Sequence, residues 1–333
     1  MALDEGREIL KLRDDELEEL IKKWIAHEVP AYYDFDRNSG AGDRGLDSVG
    51  FLSDQRYEGA WDNYQCKQLS KALGEPSFFG ELGKVLYYAS LGEFTLPSRY
   101  IFVAPFGVVG NVRNWLAMPT KLKSELRDNW TARCAKLIVA KKIIPMSNEL
   151  LDCIESFDFS KVEAWNVHKL VEQPNLRKVL HQYVDIDPGT APTGVVPSGV
   201  DQSERPYIAQ LIGVYEDHGS KGFVDELEVF AHPDYGPHLQ DQRRRYHDAD
   251  AFNRHFRDNI TEDVLLQFEQ DIYDGVVDEY RSEVGYKRVN SVMKLAGQLQ
   301  VSGVFERHKR APVSVKQGVC HHFANKERLP WKK

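Results

Sequence analysis

The chain has 333 residues, of which 42% are hydrophobic and 28% charged, enough for a substantial core and for two domains of ordinary globular composition. A formal net charge of −8 argues against a surface that wraps nucleic acid non-specifically, although basic residues are dense in "KLKSELRDNWTARCAKLIVAKK", "DQRRRYH" and "FERHKR". No apolar run approaches the ~18 residues that span a bilayer, the acidic start "MALDEGREILKLRDDELEEL" is unlike a signal peptide, and four cysteines without a CxxC pair point to a reduced, cytoplasmic protein.

In chain order, residues 9–27 place Leu12, Leu17, Leu20, Ile21, Trp24 and Ile25 at helical spacing, which predicts an amphipathic helix ending before Pro30. The glycine-rich "DRNSGAGDRG" reads as a loop. A strand is predicted from Leu46 to Leu52, a hairpin loop at "SDQRYEGA" and a returning strand at "WDNYQCKQL". "PSFFGELGKVLYYASLG" predicts a second amphipathic helix stopped at Gly92, and "RYIFVAPF" a strand buried on both faces. Helix is predicted through "PTKLKSELRDNWTARCAKLIVAKK" and again from Asn148 to Tyr183. A long Pro- and Gly-rich loop follows over Asp185–Pro206, then mostly helix with a break at "HPDYGP". The expected class is α/β (α+β): an N-terminal α/β domain over residues 1–145 and a mainly helical module over 146–333.

The stretch that carries chemistry is "WDNYQCKQL". Strand side chains alternate, so Gln65 and Lys67 share one face while Tyr64 and Cys66 share the other. Asp47 starts the preceding strand; antiparallel pairing would bring Asp47, Gln65 and Lys67 together at one end of the sheet. A carboxylate, an amide oxygen and a lysine suit metal-assisted phosphodiester hydrolysis. Mg²⁺ or Mn²⁺ takes hard oxygen ligands, which makes Asp47 and Gln65 the candidate metal ligands. Lys67 would orient or help deprotonate water and offset charge on phosphate. The competing account is a solvated hairpin whose Lys67–Asp47 ion pair contributes little.

"GDRGLDSVGF" followed by "WDNYQCKQ" resembles the D-Xn-QxK variant of the PD-(D/E)xK nuclease core, as in Mrr-like restriction endonucleases and the double-stranded DNA endonuclease effectors of bacterial antiphage systems. The resemblance implies a restriction-endonuclease-like N-terminal domain that cuts double-stranded DNA with little sequence preference. It also implies an acidic residue on the first helix: Glu18, with Glu19 and Glu28 as alternatives. Further on, "PHLQDQRRRYHDADAFNRHFRDN" and "SVKQGVCHHFANKERLPWKK" are similar to the C-terminal region of effector subunits in ABC-three-component systems, the Lamassu family. In that family a nuclease subunit is held by an SMC-like ABC ATPase and a small third subunit. The resemblance therefore implies those partners; no membrane is expected, and because one such site cuts one strand, double-strand cleavage implies self-association on activation.

Other candidates carry blander expectations. Cys320-His321-His322 matches no common zinc spacing and is expected to pack or form an interface, with neighbouring histidines pointing apart if on a strand. His232, His238, His247 and His255 are expected as core or interface residues. Arg243, Arg244 and Arg245 beside Asp241, Asp248 and Asp250 read as a solvated helix or salt-bridge network, with a phosphate-binding face as the alternative. "GVVGNVRNW" is no phosphate loop and offers Arg113 as a DNA-phosphate contact. The rival functions are a catalytically silent scaffold or binding subunit, and an Mrr-type restriction endonuclease for modified DNA.

Overall fold

A computed structural model describes residues 2–28, 31–37, 44–184 and 186–332, and the chain forms two compact units, Met1–Ile186 and Asp187–Lys333. The first unit is built on a five-stranded sheet whose spatial order is its sequence order. Strands β1 (Asp34–Arg37), β2 (Ser48–Phe51) and β3 (Trp61–Cys66) run antiparallel, whereas β4 (Arg99–Val103) and β5 (Val162–Trp165) continue parallel to β3. The parallel connections need crossovers. One is helix α3 (Glu75–Ser90); the other contains α4 (Gly110–Leu116), α5 (Pro119–Asp128), α6 (Trp130–Arg133) and α7 (Asn148–Ser156).

Alternation along the strands sorts two cores. Val49, Phe51, Trp61, Tyr100 and Phe102 meet Phe78, Phe79, Leu82 and Leu86 of α3, with Leu122, Leu126 and Ile154 behind them. On the opposite face, Tyr64, Cys66, Ile101, Val103 and Trp165 meet Leu17, Leu20, Ile21 and Trp24. Those four residues belong to α2 (Asp14–Glu28), which follows α1 (Ala2–Lys11); α8 (Val167–Val171) and α9 (Leu176–Tyr183) complete this layer. A mixed α/β class is thus observed.

Several element boundaries differ from expectation. The single helix over 9–27 is two, because Asp14, Asp15 and Glu16 form an acidic first turn that favours a new helix N-terminus. Strand β1 lies in a segment without hydrophobic alternation and exists through pairing with β2. Strand β5 interrupts the expected helical run 148–183; four residues are too few to set a period, and parallel pairing with β4 decides them. The helix from Pro119 breaks at Asn129 and ends at Arg133. Residues 146–186, expected with the second half, belong to the first unit, so the expected boundary near 145 moves to 186/187.

The second unit is helical among its described residues: α10 (Arg205–Gly219), α11 (Glu226–Phe230), α12 (Tyr235–Arg257), α13 (Glu262–Ser282), α14 (Gly285–Gln298), α15 (Gly303–Arg307) and α16 (Val313–Asn325). Phe252, Phe256, Phe268 and Phe305 pack ring against ring in its core. Helices α12 and α16 cross closely: a Cβ on Gly318 would sit 2.0 Å from the Arg245 carbonyl oxygen, so only glycine fits there. The loop before α10 has no regular structure, as expected, yet it is fastened. Arg243 donates to the carbonyl oxygens of Pro197 and Gly199 and to buried Glu204, and Gly194 N donates to Asp248 Oδ1. The arginine run is therefore not a uniform solvated face; Arg243 is interior while Arg244 is exposed.

Candidate functional site

Ser48 pairs with Tyr64, which sets Asp47 opposite Gln65 at the end of the β2–β3 ladder. Gln65 Nε2 donates to Asp47 Oδ2 at 2.7 Å, and Cys66 N donates to the same oxygen at 2.8 Å. Lys67 leaves the strand on the Gln65 face. Its main-chain N donates to Val103 O at 2.9 Å, and its Nζ lies 3.9 Å from Asp47 Oδ2. Asp47 and Gln65 are 3% and 0% exposed, so this is no solvated hairpin. The three residues meet as the pattern anticipates. Tyr100 OH donates to Gly45 O at 3.2 Å and to Gln65 Oε1 at 3.4 Å, and Asn63 Nδ2 donates to Gly45 O at 3.1 Å, so β3 and β4 both hold the turn that delivers Asp47.

Sequence reasoning passed over two acidic neighbours. Glu81 of α3 places Oε1 3.3 Å from Lys67 Nζ, closer than Asp47 does. Asp14, at the start of α2, accepts from Gln68 N at 2.7 Å, and its charge reaches Lys67 and Cys66. Burial pulls the Lys67 ammonium down, but Asp47 and Glu81 outweigh it and leave its pKa above the ordinary lysine value. Glu18 is half-buried on α2, and its charge acts on Cys66: burial first, then Asp47, then Glu18 hold that thiol protonated. Glu19 lies beside Lys22 and Lys23 of its own helix, at 4.0 and 3.8 Å. The Glu28 side chain lies outside the described residues.

Among the described residues no group of three or more His, Cys, Asp or Glu side chains is arranged to hold a metal ion. The donor chemistry nevertheless suits a hard cation: one carboxylate and one amide oxygen. In the structure the Gln65 amide meets Asp47 Oδ2 through Nε2, a hydrogen bond of 2.7 Å. Turning the amide would present Oε1 there and Nε2 to Tyr100 OH; oxygen and nitrogen are assigned from hydrogen bonding. Asn63, on the same face, leaves its buried Oδ1 without a partner.

Arg113 lies on α4, away from this cluster's hydrogen bonds. It lines a cleft of about 400 Å³ beyond the C-terminal ends of β4 and β5, with Gly107, Ser160, Glu163, Asn166 and Lys169. Among the described residues Arg113 has no ion-pair partner, whereas Lys169 is paired with Glu163.

In the second unit, Cys320, His321 and His322 sit on helix α16 rather than on a strand. Trp331 Nε1 donates to His321 Nδ1 at 3.1 Å, which leaves Nε2–H to donate to Gln242 Oε1 at 3.1 Å. Gln242 in turn meets His238, whose Nδ1 lies 2.7 Å from Tyr215 OH. Burial drives His321 well below the ordinary histidine value and pulls His322 down to about 4. These are neutral packing histidines. His247 faces Glu204 at 3.2 Å, His232 accepts from the Asp234 and Tyr235 amides, and His255 packs edge-on to Phe256.

The two units are thus a mixed α/β domain with a buried carboxylate–amide–lysine cluster and a helical domain whose histidines pack in its interior. Residues 204–331, nearly the whole helical unit, match the family model of C-terminal domain 6 of the ABC-three component (ABC-3C) systems. The match covers 128 of the 333 residues, so it is the helical unit that is similar to this domain, whose systems are by description built of three components. No curated protein and no solved structure matches the chain. No helix among the described residues is long and apolar enough to cross a membrane.

Proposed function

We propose that the first unit is a Mg²⁺- or Mn²⁺-dependent endonuclease of PD-(D/E)xK type that hydrolyses double-stranded DNA with low sequence specificity. The second unit docks it on an SMC-like ABC ATPase and a small third subunit, as in Lamassu-type systems. The observation that carries this reading is the meeting of Asp47, Gln65 and Lys67 at the C-terminal end of β3. Asp47 and Gln65 would hold the cation, which when bound polarises the phosphoryl group and acidifies water. Lys67, kept as an ammonium, orients the attacking water and offsets charge on the phosphate oxygens. Glu18 or Asp14 supports the site from α2. Arg113 in its cleft contacts a DNA phosphate.

One site cuts one strand, so cutting both requires two copies together. The partner complex holds the subunit inactive, and release lets it self-associate. The motivating facts are the net charge of −8 and a large second unit whose described residues hold no group of three or more His, Cys, Asp or Glu side chains arranged for a metal. The test is cleavage of supercoiled and linear DNA with Mg²⁺, Mn²⁺ or EDTA, by wild type and Lys67→Ala, over a wide range of chain concentration. Cation-dependent cutting that disappears in Lys67→Ala and rises steeply with concentration is expected. A stable monomer cutting at full rate would end the self-association account. Silence throughout, with partner binding intact, would favour the scaffold reading, in which the Gln65–Asp47 hydrogen bond is purely structural.

A further inference from the structure

We propose that the outer edge of β5 is the surface through which two copies of this chain join, strand to strand, about a two-fold axis at Ala164. The proposal names the interface for the self-association argued above; it rests on that reading for its purpose and on the main chain for its geometry. β5 is the last strand of the sheet and has β4 on one side only. Ala104 N donates to Trp165 O at 2.9 Å and Val167 N donates to Pro105 O at 3.0 Å, so the odd-numbered residues here point their polar main chain at β4. Parallel pairing then turns the N–H and C=O groups of Val162, Ala164 and Asn166 the other way. Two of these groups are already taken: Val162 N donates to Phe159 O, and Asn166 O accepts from Leu170 N. Val162 O, Ala164 N, Ala164 O and Asn166 N are left facing outward, without a main-chain partner among the described residues.

What remains is self-complementary. In an antiparallel pair centred on Ala164, the two Ala164 residues face each other and Val162 of one copy faces Asn166 of the other. Each Ala164 N donates to the opposite Ala164 O, and each Asn166 N donates to the opposite Val162 O, with no main-chain group left over. The occupied groups, Val162 N and Asn166 O, are the pair that would otherwise have met. An unrelated extended peptide would bring a carbonyl and an N–H to those two occupied places and leave both unsatisfied, which favours the second copy. There is room for it: a cleft of about 400 Å³ has Val162, Glu163, Ala164 and Asn166 on its strand side and Leu116 and Ala117 of α4 among its walls. The opposite edge, β1, carries Asp34 and Asp36, carboxylates that discourage strand addition. A strand of four residues makes a small interface, so copies join when crowded and part when diluted. Arg113 is exposed on α4, and the bonds described use only the strand's main chain, so its phosphate contact is not displaced.

The test uses the full chain and needs no DNA. Sedimentation velocity from micromolar to near-millimolar chain is expected to show a monomer passing to a dimer. Over the same range, residue-resolved hydrogen exchange should slow at the Ala164 and Asn166 amides and stay constant at the Val162 amide, which is bonded in the single chain. Ala164→Pro removes an N–H that β4 does not use, and Ala117→Arg crowds the cleft from α4 without touching the sheet. Each is expected to weaken the dimer at least about tenfold with the circular dichroism of the wild type. Ala117→Arg carries the test alone if Ala164→Pro does not fold. A monomer at every concentration would overturn the proposal, as would a dimer of unchanged strength in the folded variants. So would Ala164 and Asn166 amides protected equally at all concentrations, since the chain itself would then cover the edge. Absence of DNA cleavage by wild type under any cation, with dimer and variants behaving as expected, would instead overturn the nuclease reading and leave the interface standing.

Discussion

Arg243 grips Glu204 with two hydrogen bonds, Nε to Oε1 at 2.8 Å and Nη2 to Oε2 at 2.9 Å, both side chains almost wholly withdrawn from water. Such a fork satisfies a charge that would otherwise be stranded. Arg243→Ala is therefore expected to destabilise the second unit by about 3–5 kcal/mol, and Arg244→Ala, one residue on but exposed, by less than about 0.5 kcal/mol. Denaturant unfolding of the two variants checks the contrast; equal effects would mean the fork contributes no more than a surface pair.

The same unit should be labile to acid. Burial pulls His322 down to about 4 and holds His321 well below the ordinary histidine value, whereas in the unfolded chain both titrate near 6.5. Their folded values are depressed, so the unfolded state binds more protons below 6.5, and stability falls as pH drops from 6.5 towards 4. Glu204, pushed up by burial but pulled further down by Arg243, stays below the usual carboxylate value and extends the loss to lower pH. His322 alone accounts for about 3 kcal/mol between pH 7 and pH 4. Thermal melts over that range should show a steep decline that His322→Gln flattens.

Gln65→Glu separates the metal account from the scaffold account without any DNA. It would face two carboxylates at the present 2.7 Å separation, and like charges so close oppose folding. A melting temperature below wild type in EDTA, recovering by several degrees with millimolar Mn²⁺ through binding to the native state, is expected. No recovery with either cation would count against Asp47 and position 65 as ligands.

All four thiols should be inert in the native protein. Burial raises Cys134 and Cys320 to about 12 and Cys153 to about 11, and Cys66 is raised well above its ordinary value by burial and then by Asp47 and Glu18. An aromatic disulfide reagent at pH 8 is expected to label none of them within minutes and all four after denaturation. Rapid native labelling of Cys66 would show that the end of β3 opens to solvent.

Asp47, Gln65 and Lys67 are legible in the sequence because strand alternation and one hairpin are local rules, and together they fix which side chains share a face. Glu81 is not legible. It sits in "FGELGK" beside charged neighbours, and helical spacing alone does not say which turn of α3 meets the strand end. Strand β5 is invisible for a related reason: "VEAW" becomes a strand only beside "YIFV", more than fifty residues earlier. The aromatic stripe of α12 is readable because Phe252 and Phe256 recur at helical spacing, and the mixed charges around Arg243 announce a salt-bridge network. Its partner is not readable: only the fold brings the distant Glu204 to it.

The sheet whose strands stand in the order they are written has a consequence in time. Each new strand adds beside the one just made, so the first unit can assemble as the ribosome delivers it, with no later residue needed to close its ladder. The helical unit emerges only afterwards, a delay on the order of ten seconds at ordinary rates of synthesis. If the first unit cuts DNA, then for that interval each growing chain carries its blade before its sheath. Ribosome-arrested chains ending after residue 230 would display this directly: a protease-resistant first unit on the ribosome is expected, and an unfolded one would mean that the second unit chaperones the first.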